Sequence, residues 1–221
     1  MQSHTDSNRR IARNTLLLYF RMILTMCITL YTSRVILAAL GVEDFGIYNI
    51  VAGVVVLFSF LNSAMTNATQ RYLSMALGLG KAKYVQLIFS TSLLSHLVIS
   101  GVLLVLCETV GLWFVNTQLI IPADRMVAAN VAYQFAILIT VIDINRIPFF
   151  SSIIAHERMT FFAYLAIVES LLKLAVALSI SYACSVDKLI LYAGLLAVSS
   201  AVIFTTFSST VCDISTRIAR C

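Results

Sequence analysis

Charge is what this chain has least of. Only 11% of its 221 residues are Asp, Glu, Lys or Arg, against about 25% in a soluble domain, which excludes an ordinary water-facing surface. Proline occurs twice and glycine eight times, leaving few points at which a helix has to stop. None of the five cysteines stands in a C-x-x-C pair, and most lie in or beside apolar runs. They read as small apolar fillers rather than disulfides or metal ligands. There is no P-loop, no H-E-x-x-H and no G-x-S-x-G, and no polar stretch is large enough to form a cofactor domain. His4, His96 and His156 are scattered, so no metal site forms from them. Without a catalytic constellation, metal or cofactor, the chain does not read as an enzyme.

Hydrophobicity is what fills the space: 60% of the residues are apolar. Six stretches reach the roughly 20 residues that a helix needs to cross a bilayer. They run over 14–40, 46–73, 85–107, 126–150, 161–183 and 189–212. The spacing predicts an all-α, polytopic membrane bundle, preceded by a polar tail (1–13) and followed by a short tail (213–221). The connectors GVEDFG, LGLGKAK and NTQLIIPADR carry turn residues; AHERM and CSVDK follow the fourth and fifth spans. Pro122 suits a position just ahead of a helix, whereas Pro148 is expected to kink or end the fourth span. The amino terminus is basic, the apolar run after it is too long for a signal-peptide core, and no small-residue cleavage site follows.

Charge distribution gives the orientation. Arg9, Arg10 and Arg13 precede span one; Arg71, Lys81 and Lys83 follow span two; Arg158 follows span four; Arg217 and Arg220 follow span six. The alternate connectors hold Glu43 and Asp44, then Glu108, Asp124 and Arg125, then Asp187 and Lys188. Basic residues mark the cytoplasmic side, so both termini are expected there. The net charge of +5 follows from this topology and calls for no nucleic-acid partner.

Several charges nevertheless lie inside the spans. Arg21 and Arg34 both fall in the first, where an arginine near a helix centre costs roughly 2.5–3.5 kcal/mol on insertion scales. Snorkelling, an acidic partner or a hydrated cavity would each offset that cost. At 100° per residue Asn14, Arg21, Thr25 and Thr32 share a face, and so do Asn49, Gly53, Ser63, Asn67 and Arg71, with Gln70 alongside. Such stripes serve either helix packing or a cavity wall. Arg34 lies roughly 220° around from Arg21, placed to reach the outer interface or to pair with Glu43 or Asp44. Asp143 and Arg146 stand at i, i+3, Glu169 and Lys173 at i, i+4, each an opposite-charge pair on one helix. They either lower the insertion cost as internal pairs or line a transport path, the acids then serving as proton or ion acceptors. His96 reads as a packing residue or a proton-sensitive group.

The run NTLLLYFRMILTMCITLYTSRVILAALGVEDFGIYNIVAGVVVLFSFLNSAMTNATQRYLS resembles the amino-terminal part of polysaccharide (O-antigen) flippases. These belong to the multidrug/oligosaccharidyl-lipid/polysaccharide exporters. ETVGLWFVN, PADRMVAANVAYQF and IIAHERMTFFAYLAIVESLLKL are similar to the same family, so the resemblance covers nearly the whole chain. It implies one six-helix lobe of a MATE-like, two-lobed transporter in the bacterial inner membrane. The substrate it implies is an undecaprenyl-pyrophosphate-linked oligosaccharide for surface polysaccharide or lipopolysaccharide. Partners would be membrane lipid and a second six-helix lobe or another chain. The family continues into that second lobe where this chain reaches DISTRIARC, so a truncated half, or half of a complex, is the expectation.

A lipid pyrophosphate suits the planar fork of arginine. Arg21 and Arg71 are the leading candidates to hold it, with Arg146 and Lys173 behind them because each has an acidic neighbour. Asp143, Glu169 and His96 are the candidate coupling groups, and Asn14, Thr25, Asn49, Asn67 and Gln70 the polar cavity stripe. Two other readings stand beside this one: a non-transporting remnant or scaffold, and a multidrug exporter of cations, whose site would offer acids where these helices offer arginines.

Overall fold

A computed structural model describes the backbone over residues 2–56, 60–80, 82–156, 159–182 and 187–218, and side chains from Thr15 to Thr210 apart from those in and beside the intervening gaps. Every regular element among the described residues is helical. In chain order these are α1 (Gln2–Val56), α2 (Phe60–Gly78), α3 (Ala82–Leu106), a π-helical turn (Cys107–Gly111), α4 (Leu112–Thr117), α5 (Met126–Ala155), α6 (Met159–Ser181) and α7 (Lys188–Ile218).

Scarcity of glycine and proline explains the long helices. The polar residues before span one continue α1 because nothing in Gln2–Leu40 breaks it. The GVEDFG connector departs from helical geometry at one residue, Gly41 (φ 82°, ψ 170°), and the helix resumes at Val42. A side chain would make that left-handed conformation costly. After α2 the chain turns through Gly80 (φ 65°), with the Leu79 and Gly80 amides donating to the Met75 and Leu77 carbonyls, a glycine-terminated helix end. Pro148 does not end α5, which runs on through it to Ala155. Pro122 fits as expected: its carbonyl accepts the Arg125 amide at 2.9 Å in the turn that launches α5.

Five helical stretches are long and apolar enough to cross a bilayer: Thr15–Val56, Lys83–Thr117, Met126–Ala155, Thr160–Ser181 and Lys188–Thr210. The first is 42 residues long, about twice what one crossing requires, and it contains the Gly41 break. Leu16, Phe20, Met26 and Leu30 on α1, and Leu94, Leu97, Val98 and Val102 on α3, stand exposed. Apolar residues on the outside of apolar helices are the build of a membrane protein. The expected boundary of the second span, 46–73, crosses residues outside the described set.

α5 is the central helix, packed against α1, α2, α3 and α7, while α6 lies between α1 and α7. Small residues allow this. Ala128, Ala129, Ala132 and Ala136 on α5 are buried, as are Ala193 and Ala197 on α7, and small side chains let membrane helices approach closely. The π turn is locked in the same way. Tyr133 is fully buried and its hydroxyl donates to the Cys107 carbonyl at 2.8 Å. That hydroxyl occupies the place a Cβ on Gly111 would take.

At one end of the bundle three connectors converge on Arg125. Its guanidinium bridges Asp44 at 3.2 Å and Asp187 at 3.1 Å, while Lys188 donates to the Ala39 carbonyl at 3.1 Å. The residues around Gly41, the start of α5 and the start of α7 therefore share an end. Asp44, considered above as a partner for Arg34, is bound to Arg125 instead. Local spacing links Asp44 only to its own neighbours, and the helix packing brings up a cation from 81 residues away.

Candidate functional site

The two opposite-charge pairs seen on separate helices form one network. Asp143 and Arg146 sit near the middle of α5, Glu169 and Lys173 near the middle of α6. Arg146 reaches Asp143 at 3.3 Å and Glu169 at 3.1 Å, and Lys173 reaches the other Glu169 oxygen at 2.9 Å. Ser200 of α7 adds a hydroxyl donated to Asp143 at 3.4 Å. Arg146 also stands 5.5 Å over the Phe207 ring, a cation–π contact that favours its charged form in apolar surroundings. Two anions and two cations cancel, which removes much of the cost of placing four charges among apolar helices.

The network opens onto two adjoining hollows. One, of about 150 Å³, lies among Tyr48, Asp143, Glu169, Lys173, Ser199 and Ser200. The other, of about 210 Å³, lies between α1 and α5 and is lined by Tyr48, Ala52, Val55, Ala136, Thr140 and Asp143. Tyr48 and Asp143 line both. Tyr48 is held edge-on by Tyr192, with ring centroids 4.8 Å apart. Lys173 is the most open member of the network, its side chain 52% exposed.

Neither hollow is lined by Arg21, Arg71 or His96. Arg21 turns toward α6, its guanidinium 4.4 Å over the Phe162 ring, with Nε buried and unbonded. Thr25 on the same stripe returns its hydroxyl to the Arg21 and Met22 carbonyls, and Thr32 is buried. Side chains on the Asn14 end of that stripe fall outside the described set. On the second stripe Asn49 is exposed and bonded to the Phe45 carbonyl at 2.7 Å. Asn67 and Arg71 are exposed and Gln70 half-buried. Among the described residues Arg21, Arg34 and Arg71 form no ion pair.

His96 is buried where α2 meets α3. Its Nδ1 faces the Ser92 carbonyl at 2.7 Å and so carries the proton, and Ser92 in turn bonds Thr69 at 3.1 Å. Nε2 is left without a partner. No cluster of His, Cys, Asp or Glu suited to a metal occurs among the described residues.

Sequence reasoning missed Tyr48, Ser199, Ser200 and the Arg125 clamp. Tyr48 stands in FGIYN beside a connector, and the Ser199–Ser200 pair interrupts an otherwise apolar run; each was a visible signal, but only packing assigns it to a site. Fold and site together define an α-helical bundle, with five helical stretches long and apolar enough to cross a membrane and a charge-balanced network near the middle of two of them. Against protein-family models, curated proteins and solved structures, the chain finds no match.

Proposed function

We propose that this chain is one six-crossing lobe of a bacterial inner-membrane flippase for polyprenyl-pyrophosphate-linked oligosaccharide, working with a second lobe. The observation that carries this is the half-exposed Lys173 inside a network of four charges at mid-helix. Hydrocarbon against that ammonium would be costly, so the α5–α6–α7 hollow belongs to a wall that water, substrate or another lobe covers. A purely packing bundle has no use for such a wall. A midplane polar site between two bundles is what alternating access employs.

The Arg125 clamp supports six crossings. Residues 44, 125 and 187 lie at one end, so the chain leaves and returns once between the first two and once between the last two. The leg before Gly41 and the leg of α7 bring the total to six. Basic residues at the opposite end then favour a cytoplasmic location for both termini.

Arg146 is engaged by two carboxylates and Lys173 by one, so the pyrophosphate falls to Arg21 and Arg71, which have no acidic partner among the described residues. Stacking on Phe162 uses the face of the Arg21 guanidinium; Nε is buried, and the two terminal amino groups are the donors for phosphate oxygens. Asp143 and Glu169 are the proton or ion acceptors of this scheme, and the chain's exposed apolar surface meets lipid.

The test is complementation in a bacterium lacking its own flippase, with the chain alone and with a separately encoded second lobe. Surface polysaccharide restored by the pair supports the reading. No restoration in either arm, with membrane insertion verified, favours a scaffold and overturns it. Resistance to cationic dyes in its place would identify a multidrug exporter.

A further inference from the structure

We propose that the Tyr48–Asp143–Glu169–Lys173 hollow is a subsite for a single uncharged sugar ring, and that it discriminates against acidic sugars. The inference deepens the flippase reading and rests on it for the source of the sugar, but the chemistry of the hollow stands by itself.

Size comes first. A void of about 150 Å³ is what a benzene-sized, six-membered ring fills, and the hollow measures about 150 Å³. The adjoining space of about 210 Å³ gives ring substituents and the next unit somewhere to go. Lining comes second. A pyranose presents a C–H face and a rim of hydroxyls, each hydroxyl both donor and acceptor. Tyr48 supplies a flat apolar surface common to both hollows, fixed by its edge contact with Tyr192. Around it stand two carboxylates that accept, an ammonium with donors beyond the one given to Glu169, and two serine hydroxyl oxygens that accept while their own hydrogens go to Asp143 and the Leu196 carbonyl.

Charge comes third. The four ionised groups of the network already cancel, and both cations are bonded to carboxylates. The network therefore offers a sugar carboxylate no net attraction to set against the loss of its hydration, which makes burying that charge costly. A neutral polyol meets no such penalty. The charged end of a lipid-linked substrate and its uncharged sugars are thereby served by different places in the lobe.

The experiment measures equilibrium binding to the purified chain in lipid nanodiscs by saturation-transfer NMR. The probes are the methyl glycosides of glucose, galactose and N-acetylglucosamine, with methyl glucuronide as the acidic counterpart. At least one neutral glycoside is expected to bind saturably, with glucuronide weaker by about tenfold or more. Tyr48→Ala should weaken the neutral glycoside by about tenfold while Tyr48→Phe stays within about twofold, because the ring rather than the hydroxyl is the platform. Asp143→Asn should narrow the gap between glucoside and glucuronide. Glucuronide binding as tightly as the neutral probes, no glycoside binding, or indifference to Tyr48→Ala overturns the subsite. Binding is read without transport, so a silent complementation assay with intact glycoside binding would reject the flippase and keep the sugar site. Restored polysaccharide without glycoside binding would do the reverse.

Discussion

At the scale of single residues, the charged groups divide by whether a carboxylate holds them. Glu169 is the keystone of the mid-bundle network, since it alone touches both Arg146 and Lys173. Glu169→Gln keeps the shape and removes the charge, leaving two cations with only Asp143 between them. The expected loss of stability is about 1–3 kcal/mol, read from unfolding in mixed detergent micelles. Adding Lys173→Met should recover part of that loss, because it removes the cation left uncompensated; strictly additive losses would mean the two residues do not interact. Arg21 and Arg34 offer the contrasting case. Arg21→Ala should abolish complementation with insertion unchanged and Arg21→Lys should weaken it, a point charge lacking the bidentate fork. Arg34→Ala should leave transport intact. Activity surviving in Arg21→Ala would remove it from the pyrophosphate site.

At the scale of elements, the π turn between α3 and α4 is a specific joint. Its Cys107 carbonyl is taken by the Tyr133 hydroxyl, and the absence of a side chain at Gly111 makes room for that hydroxyl. Gly111→Ala forces the two apart and should cost about 1–3 kcal/mol by overpacking. In a Tyr133→Phe background the same change should cost less, because the overlapping oxygen is gone. Equal costs in both backgrounds, measured by thermal unfolding in detergent, would place the strain elsewhere. Nothing in ETVGLWFVN distinguishes a π turn from ordinary helix, since the cause lies on α5, 22 residues further along. The same limit applies to the charged network. Its i, i+3 and i, i+4 pairs were legible because local spacing sets them, but the Arg146–Glu169 bond depends on how α5 and α6 register against each other. The apolar stretches and the acidic–basic alternation of connectors were legible as well. The length of α1 was not, because GVEDFG holds the residues of a connector yet departs from helix only at Gly41.

At the scale of the whole molecule, Arg125 ties together three places in the chain, the residues after Gly41, the start of α5 and the start of α7. Asp44 has only 7% of its side chain exposed, so Arg125→Ala would strand a buried carboxylate and free the starts of α5 and α7 at once. A loss of about 2–3 kcal/mol is expected, together with faster amide exchange at the α5 and α7 starts. The same clamp makes a topological prediction that the stability measurement cannot. If residues near 44, 125 and 187 share a membrane face, single cysteines at Glu43, Asp124 and Asp187, in a background with the five native cysteines replaced by serine, should react with an impermeant maleimide from one side only. Cysteines at Leu79 and His156, at the far ends of α2 and α5, should react from the other side. In the orientation proposed above, the first group is periplasmic and the second cytoplasmic. The decisive pair is 43 and 79. A crossing between them makes α2 part of a membrane leg despite Asn67, Gln70 and Arg71, and puts Arg71 in the half of the bundle that holds the start of α1. Labelling of both from one face would take α2 out of the bilayer, leave the two arginines unable to share a pyrophosphate, and reduce the lobe below the six crossings proposed for it.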